Sequence, residues 1–409
     1  MTQPAVPPPR NSSTSCSPST DGSLRLERDG GPVRAVSDGP SLSRWQVYGT
    51  WVVALALAAC GRPSTPTDPP LQATAPAGLN QTSPATAGPG ATVAAGVVVA
   101  PTASASAPSP ATAPKRFAGA AFPPPDYSAI HERTREPDDG TWRPLPMPLD
   151  GPSVMAVSTS HPHPIKGFVF VKVVAFDRRY LDLRLVAGTQ EPQSKVVPAE
   201  RRPGLVPSQD QGRLLAVFNG GFKAKHGSYG MLLDGDLFVP PKDDACAVAQ
   251  YLDETLRIRS WPVLSGDVEK LSAYRQTPPC LVEQGELNPR LKSAYKSRRW
   301  GSAVGGVQDI RRSAVGLDKT GRSLLYGFGD WVTPGELALA MKAAGAVDAA
   351  QLDINWSYTR FFLFDQPPGG PPHIRETIIP KLKFSKNRYI DKSSYRDFYY
   401  VGLRPGTAR

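Results

Sequence analysis

The chain has 409 residues, with 47 Lys or Arg against 36 Asp or Glu, a formal net charge of +11, and 45 Pro and 37 Gly. That length ordinarily means two or more domains. The first 125 residues, however, are too poor in patterned apolar positions to build a core, so one folded unit of about 280 residues is expected. Those 125 residues hold eight Lys or Arg and five Asp or Glu, leaving +8 for the remainder. No nucleic-acid recognition motif accompanies the charge, and nucleic acid is not expected as a partner of an exported domain.

Residues 1–40 form a long polar leader rich in Gly, Pro and Ser, which an overlong gene start would explain. An apolar run from Trp51 to Cys60 follows, preceded by the cation Arg44. It is too short to span a bilayer as a helix and reads as a secretion signal. Its end, Leu57-Ala58-Ala59-Cys60, resembles a bacterial lipobox. That would make Cys60 the lipidated first residue of an exported protein anchored to the cell envelope, with the outer membrane favoured. The plainer alternative is a signal peptide with an incidental Cys. Residues 61–125 are mostly Pro, Ala, Thr, Ser and Gly with almost no charge. Such a segment buries too little apolar area to order itself, so a disordered tether is expected. Extended at about 3 Å per residue, it would reach on the order of 200 Å.

In the remaining domain, residues 126–409, elements are read in chain order. Trp142, Pro144, Pro146 and Pro148 suggest an extended arm lying on the domain. Residues 165–176 and 180–186 read as two strands of a hairpin turning through Asp177-Arg178-Arg179. A strand over 214–218 runs into Asn219-Gly220-Gly221-Phe222, where a Gly pair permits unusual backbone and close approach of a ligand. Residues 229–233 and 236–239 flank Asp234-Gly235, a pair suited to a two-residue primed turn. Strands are expected at 246–251 and 256–261, and a short helix at 265–275. Residues 312–318 and 323–328 form a hairpin around Lys319-Thr320-Gly321-Arg322. Thr333-Pro334-Gly335-Glu336 then reads as a capping box, with Leu337, Met341 and Ala344 on one helical face and Gly345 placed to end the helix. An apolar strand over 347–355 carries Asp353 near its end. Closing strands are expected at 358–364, 377–384 and 398–403. Alternating strands with few helices make the fold class α+β: a mostly antiparallel or mixed sheet with a few helices packed on it.

The cysteines give simple arithmetic. Cys16 leaves with the leader and Cys60 carries lipid, so Cys246 and Cys280 remain as the only exported pair and a disulfide is expected. Zinc is the alternative, but the five His show no ligand spacing near either Cys, and neither a metal nor a cofactor is expected. Two basic stretches stand out. Arg290, Lys292, Lys296, Arg298, Arg299, Arg311 and Arg312 form one; Lys381, Lys383, Lys386, Arg388, Lys392 and Arg396 form the other. A solvated face accounts for most of them, an anionic substrate or a phosphate-rich surface being the sharper reading.

Three motifs in order carry a resemblance. Asn219-Gly220-Gly221-Phe222, Arg312-Ser313-Ala314-Val315-Gly316-Leu317-Asp318 and the approach from Gly345 to Leu352-Asp353 resemble the phosphodiester glycosidase family, relatives of the enzyme that uncovers mannose 6-phosphate. The match spans about a third of the chain. It departs after Asp353, where Ile354-Asn355-Trp356-Ser357 stands in place of three glycines and Ser. The resemblance implies hydrolysis of a sugar 1-phosphodiester, chemistry that calls for a carboxylate near the anomeric carbon and cations or amides around the phosphate. It assigns the carboxylate to Asp353, the phosphate contact to Arg312, and donor roles to Asn219, Gly220 and Gly221. Asn355, Ser357, Tyr358 and Arg360 would replace lost amide contacts, and Trp356 would stack on a sugar face. The partners implied are a carbohydrate or phosphosugar substrate and, through the anchor, a membrane. The alternative is a glycan- or anion-binding envelope lipoprotein of the same fold without catalysis.

Overall fold

The computed structural model describes residues 117, 119–146, 153–293 and 295–407, with Val304 described by its backbone alone. The leader, the lipobox with Cys60, and the tether up to residue 116 lie outside the described residues. Strands and helices are numbered in chain order.

The largest sheet has eight strands. Its order is β1 (Arg143–Pro144), β2 (Met155–Ser160), β3 (Phe170–Asp177), β14 (Ser323–Val332), β13 (Ile310–Asp318), β15 (Ala346–Ile354), β11 (Val282–Glu283) and β12 (Glu286–Leu287). A second sheet orders β7 (Asp236–Val239), β6 (Met231–Leu233), β10 (Leu271–Thr277), β8 (Cys246–Tyr251) and β9 (Leu256–Ser260). The third orders β17 (His373–Glu376), β16 (Phe361–Asp365), β5 (Leu214–Asn219), β18 (Phe398–Leu403) and β4 (Leu181–Val186). Each pairing inside these sheets is antiparallel. Among the described residues three α-helices accompany them: α1 (Ser208–Gln211), α2 (Trp261–Leu264) and α3 (Pro334–Ala343). The α+β class read from the sequence is the class observed.

Alternation along the strands assigns the two faces of the large sheet. Val171, Val173, Ala175, Ala314 and Leu325 share a core with Leu337, Ala338 and Met341 of α3. Val174, Phe176, Val315, Leu317, Tyr326 and Phe328 face the opposite way, into a core shared with Leu215 and Phe218 of β5 and Val248 and Ile258 of the second sheet. Helix α3 starts where the sequence places it. The Thr333 hydroxyl accepts from the Glu336 amide at 3.2 Å, and the Glu336 carboxylate accepts the Thr333 amide at 2.7 Å. Gly345 ends it with φ +97. In the hairpin of β6 and β7, Asp234 and Gly235 both take positive φ, as a primed turn requires. Cys246 and Cys280 form the expected disulfide, with Cα atoms 4.8 Å apart and a sequence separation of 34. In the loop-entropy account, a closure of that length stabilises the fold by about 4 kcal/mol.

Three expected elements differ. The strands over 165–176 and 180–186 do not form a hairpin: β3 is filled on both edges by β2 and β14, and β4 pairs with β18 in another sheet. The chain changes sheets at Asp177, whose carboxylate receives Arg322 and Arg179 at 2.7 and 3.0 Å and fixes the corner. Residues 265–275 are not one helix; a 3₁₀ turn over Ser265–Lys270 leads into β10, which is central in its sheet and buried on both faces. Residues 377–384 are not a strand, because Pro380 removes a donor and Lys381 adopts φ +58; β17, just before them, takes the edge instead. The extended arm at Trp142 is present as β1, paired to β2, with Trp142 buried.

Candidate functional site

The sequence motifs meet where β5 and β15 end, β13 begins, and the chain enters β18. Register slips on β13 shape this corner. Between the pairs Arg312 with Ile354 and Ala314 with Gln351, β13 contributes one residue and β15 two, so Ser313 opposes both Leu352 and Asp353. Such a bulge re-aims side chains. Gln351 stays on the Arg312 side, whereas the Asp353 carboxyl turns toward Gly221 and Arg396.

Asp353 is 4% exposed. One carboxylate oxygen accepts the Ile354 amide at 2.9 Å, and the other forms an ion pair with the Arg396 guanidinium. Its own amide donates to the Gly220 carbonyl at 3.0 Å. Burial outweighs the Arg396 pair and pushes the Asp353 pKa up to about 7, so this carboxyl changes charge near neutrality. Arg396 also donates to the Gly221 carbonyl at 3.1 Å and lies 4.5 Å from the Tyr358 ring centre. Its Nε and Nη1 are buried without a hydrogen-bond partner. Lys223 Nζ approaches the same Tyr358 ring at 5.0 Å. Burial, and then Lys225, Lys223 and Arg396, hold the nearby His226 below its usual pKa, which marks a positive local field.

On the other side of Gly221 lies a second pair, wholly buried. Asp397 Oδ2 accepts Arg275 Nε at 2.9 Å and the Gly221 amide at 2.8 Å, while the Asp397 carbonyl accepts the Gly220 amide at 3.0 Å. Arg275 also donates to the Phe222 carbonyl at 2.6 Å. Here the Gly pair has a packing reason. A Cβ on Gly220 would fall 2.7 Å from Asp397 Cγ, and one on Gly221 would fall 2.7 Å from Arg275 Cζ. Neither glycine needs a left-handed backbone. Their amides serve Asp397, where ligand-facing donors were expected.

Asn219 is likewise turned inward. Its Oδ1 accepts the Arg360 amide at 3.0 Å and the Tyr326 hydroxyl at 3.2 Å, and its Nδ2 donates to Ser313 Oγ at 3.0 Å. Ser313 in turn donates to the Asp353 carbonyl at 2.9 Å. Asn219 therefore ties β5, β13, β14 and the start of β16 to the strand that carries Asp353.

Arg312 does not join Asp353. It lies on the other face of β13 and is completely buried. Its Nη1 donates to the Trp300 carbonyl and Gln351 Oε1, Nη2 to the Gly301 and Gln308 carbonyls, and Nε to the Val332 and Gln308 carbonyls. A guanidinium has five N–H donors, and these acceptors occupy all of them. Burial without a bonded carboxylate lowers its pKa to about 9. The cation at the carboxylate is Arg396, which the sequence placed in a basic stretch read as solvated.

The segment that replaces the three glycines is distinct at each position. Ile354 is 4% exposed and packs with Phe222 and Ile310. Asn355 adopts φ +74, a left-handed conformation that Asn tolerates better than most residues. Trp356 and Ser357 are exposed, so Trp356 does not plug the corner. The Trp356 ring rests 3.9 Å above the Arg311 guanidinium, which Asp330 holds with two contacts of 2.5 and 2.7 Å. Arg360 donates back to the Trp356 and Thr359 carbonyls. Among the described residues, no group of three or more His, Cys, Asp or Glu is arranged to hold a metal, and no helix is long and apolar enough to cross a membrane.

The described residues thus form an α+β fold of three antiparallel sheets, with a buried carboxyl, its pKa pushed up to about 7, paired with Arg396. No protein-family profile matches the chain, and no curated protein is similar to it in sequence. Among solved structures it resembles the catalytic domain of zebrafish N-acetylglucosamine-1-phosphodiester alpha-N-acetylglucosaminidase, in a form auto-inhibited by its pro-peptide. Identity is 17% over 62% of this chain and 85% of that one, with a TM-score of 0.41. A hypothetical protein from Synechocystis is similar at 12% identity over 61% of this chain and 62% of that one, with a TM-score of 0.38. These are distant likenesses of architecture.

Proposed function

We propose that the chain is a glycosidase-type hydrolase that cleaves a sugar 1-phosphodiester or a related envelope glycan linkage, with Asp353 at the reacting carbon. The observation that carries this reading is the Asp353 carboxyl itself: buried, its pKa pushed up to about 7, and paired with Arg396, which with Lys223 approaches the Tyr358 ring. A carboxylate of that pKa can take a proton from water at neutral pH, and the neighbouring cation suits the negative charge that builds on a departing phosphate. In this scheme water attacks the anomeric carbon, the carbon–oxygen bond to phosphate breaks, and the phosphorylated alcohol leaves with the bonding electrons. Asp353 receives the proton from water, and Arg396 keeps enough of the carboxylate ionised to do so.

Hydrolysis in ¹⁸O-labelled water of a panel of sugar 1-phosphodiesters tests the reading. The expected product is a reducing sugar carrying the label at its anomeric oxygen, beside an unlabelled phosphomonoester. Label in the phosphate would mean attack at phosphorus, and no hydrolysis across the panel would favour the binding alternative.

A further inference from the structure

We infer that Trp331 and Trp356 together form a carbohydrate-stacking platform beside the reacting centre, a subsite for a sugar ring of the substrate beyond the one cleaved. The inference rests on the hydrolase reading for where the reacting sugar lies, but its own evidence is independent. Trp331 is 50% exposed and Trp356 46% exposed. Their ring centres are 5.9 Å apart with planes inclined at 68°. Trp356 lies three residues beyond Asp353, on the segment that leaves β15.

The chain presents both rings by irregular backbone. Between the pairs Ile310 with Val332 and Arg312 with Gly329, β13 contributes Arg311 alone, whereas β14 contributes Asp330 and Trp331. This bulge turns Asp330 inward to Arg311 and leaves Trp331 outward at φ +58. A left-handed backbone is unfavourable for a bulky side chain, and exposing an indole gains nothing in stability, so a structural role accounts poorly for it. Trp356 is raised in the same manner by the left-handed Asn355 before it.

Beneath them the support is fixed. Arg311 is 2% exposed, clamped by Asp330, and lies against the Trp356 ring, so the accessible part of that ring is its outward side. Ser357, next to Trp356 in the chain, is exposed, and exposed Lys381 follows Pro380, whose carbonyl accepts Arg311 Nη2 at 3.4 Å. Two exposed indoles set at an angle offer apolar walls suited to the C–H face of a pyranose. Trp also favours a lipid surface, and the vesicle arm of the test separates that occupant from a sugar.

The test is equilibrium binding, run in the Asp353→Asn background so that bound glycan survives. Calorimetric titrations would use maltotetraose, cellotetraose and chitotetraose, their monosaccharides, and vesicles containing phosphatidylglycerol. At least one tetrasaccharide is expected to bind about ten-fold or more tightly than its monosaccharide, and Trp331→Ala to remove about ten-fold of that affinity. Trp331→Phe should restore most of the loss, and monosaccharide binding should not change. Trp331→Gly, which suits the positive φ, should lose the tetrasaccharide while melting no lower than the parent. Tetrasaccharides that bind no better than monosaccharides, indifference to Trp331→Ala, or a Trp331-dependent affinity for vesicles alone would each overturn the platform. Because no turnover is read, failure of the hydrolase reading and failure of the platform remain distinguishable.

Discussion

Asp353→Asn is expected to lower turnover on a hydrolysed sugar 1-phosphodiester by about 10³-fold, the size of effect typical of a positioned acid or base. Binding should change little, because the substitution keeps the shape and leaves Arg396, Lys223 and Tyr358 in place. The stability result separates this from a purely structural pair. The Asp353 pKa is raised to about 7 in the folded chain, above its ordinary value of 3.8. The unfolded chain therefore gives up this proton more readily than the folded one, and wild-type stability falls as pH rises from about 4 to about 7. A shift of that size corresponds to about 4 kcal/mol by the usual conversion. Asn resembles the protonated carboxyl and carries no such penalty. The variant should melt above wild type at pH 8, with the difference closing toward pH 4. A mainly structural ion pair would give the opposite result, a loss of about 3–5 kcal/mol at neutral pH. Activity gained at the expense of stability is what a functional carboxylate predicts.

Arg275→Ala and Asp397→Ala should each destabilise the domain by about 3–5 kcal/mol, because each leaves a charge with no water and no counter-ion. Both side chains are fully buried. The loss would not stop at the pair, since the Gly221 amide and the Phe222 and Tyr229 carbonyls lose partners at the same time. For a domain of this size the melting point should fall by about 5–9 °C. Replacing both residues with Met and Leu removes both charges and should recover part of that fall. Single variants that melt within about 1 kcal/mol of wild type would show that the pair does not hold the Gly220-Gly221 turn in place.

The contrast between Arg312 and Arg396 shows where sequence reasoning reaches. Local signals were dependable where neighbours in sequence decide the outcome. The Asp234-Gly235 turn, the Thr333 capping box, the hairpin of β13 and β14, and the strand carrying Asp353 follow from side chains within a few residues of one another. The hairpin expected of β3 and β4 failed because either strand pattern satisfies a hairpin equally well, and only the competition for β3's edges sends β4 to another sheet. Arg312 was selected because it lies inside a motif, yet the even positions of β13 face the α3 side, where its charge is spent on the carbonyls of the loop around Trp300. Nothing in the spacing joins position 396 to position 353. The one available cue was an Arg-Asp step just before the strand Phe398–Leu403, where Arg396 and Asp397 reach the two sides of the Gly pair. Asn355 takes φ +74, a backbone feature distinct from the donor role its sequence context suggests.

The central claim is that Asp353 works in its ionised form from a pKa near neutrality, and the pH dependence of kcat/KM reads that pKa in the free enzyme. Below about pH 7 the rate should climb ten-fold per pH unit, level off above it, and lose this dependence in whatever residual activity Asp353→Asn retains. A wild-type profile that is level from pH 5 to pH 9, or one that bends near pH 4 as an ordinary exposed carboxylate would, contradicts the account.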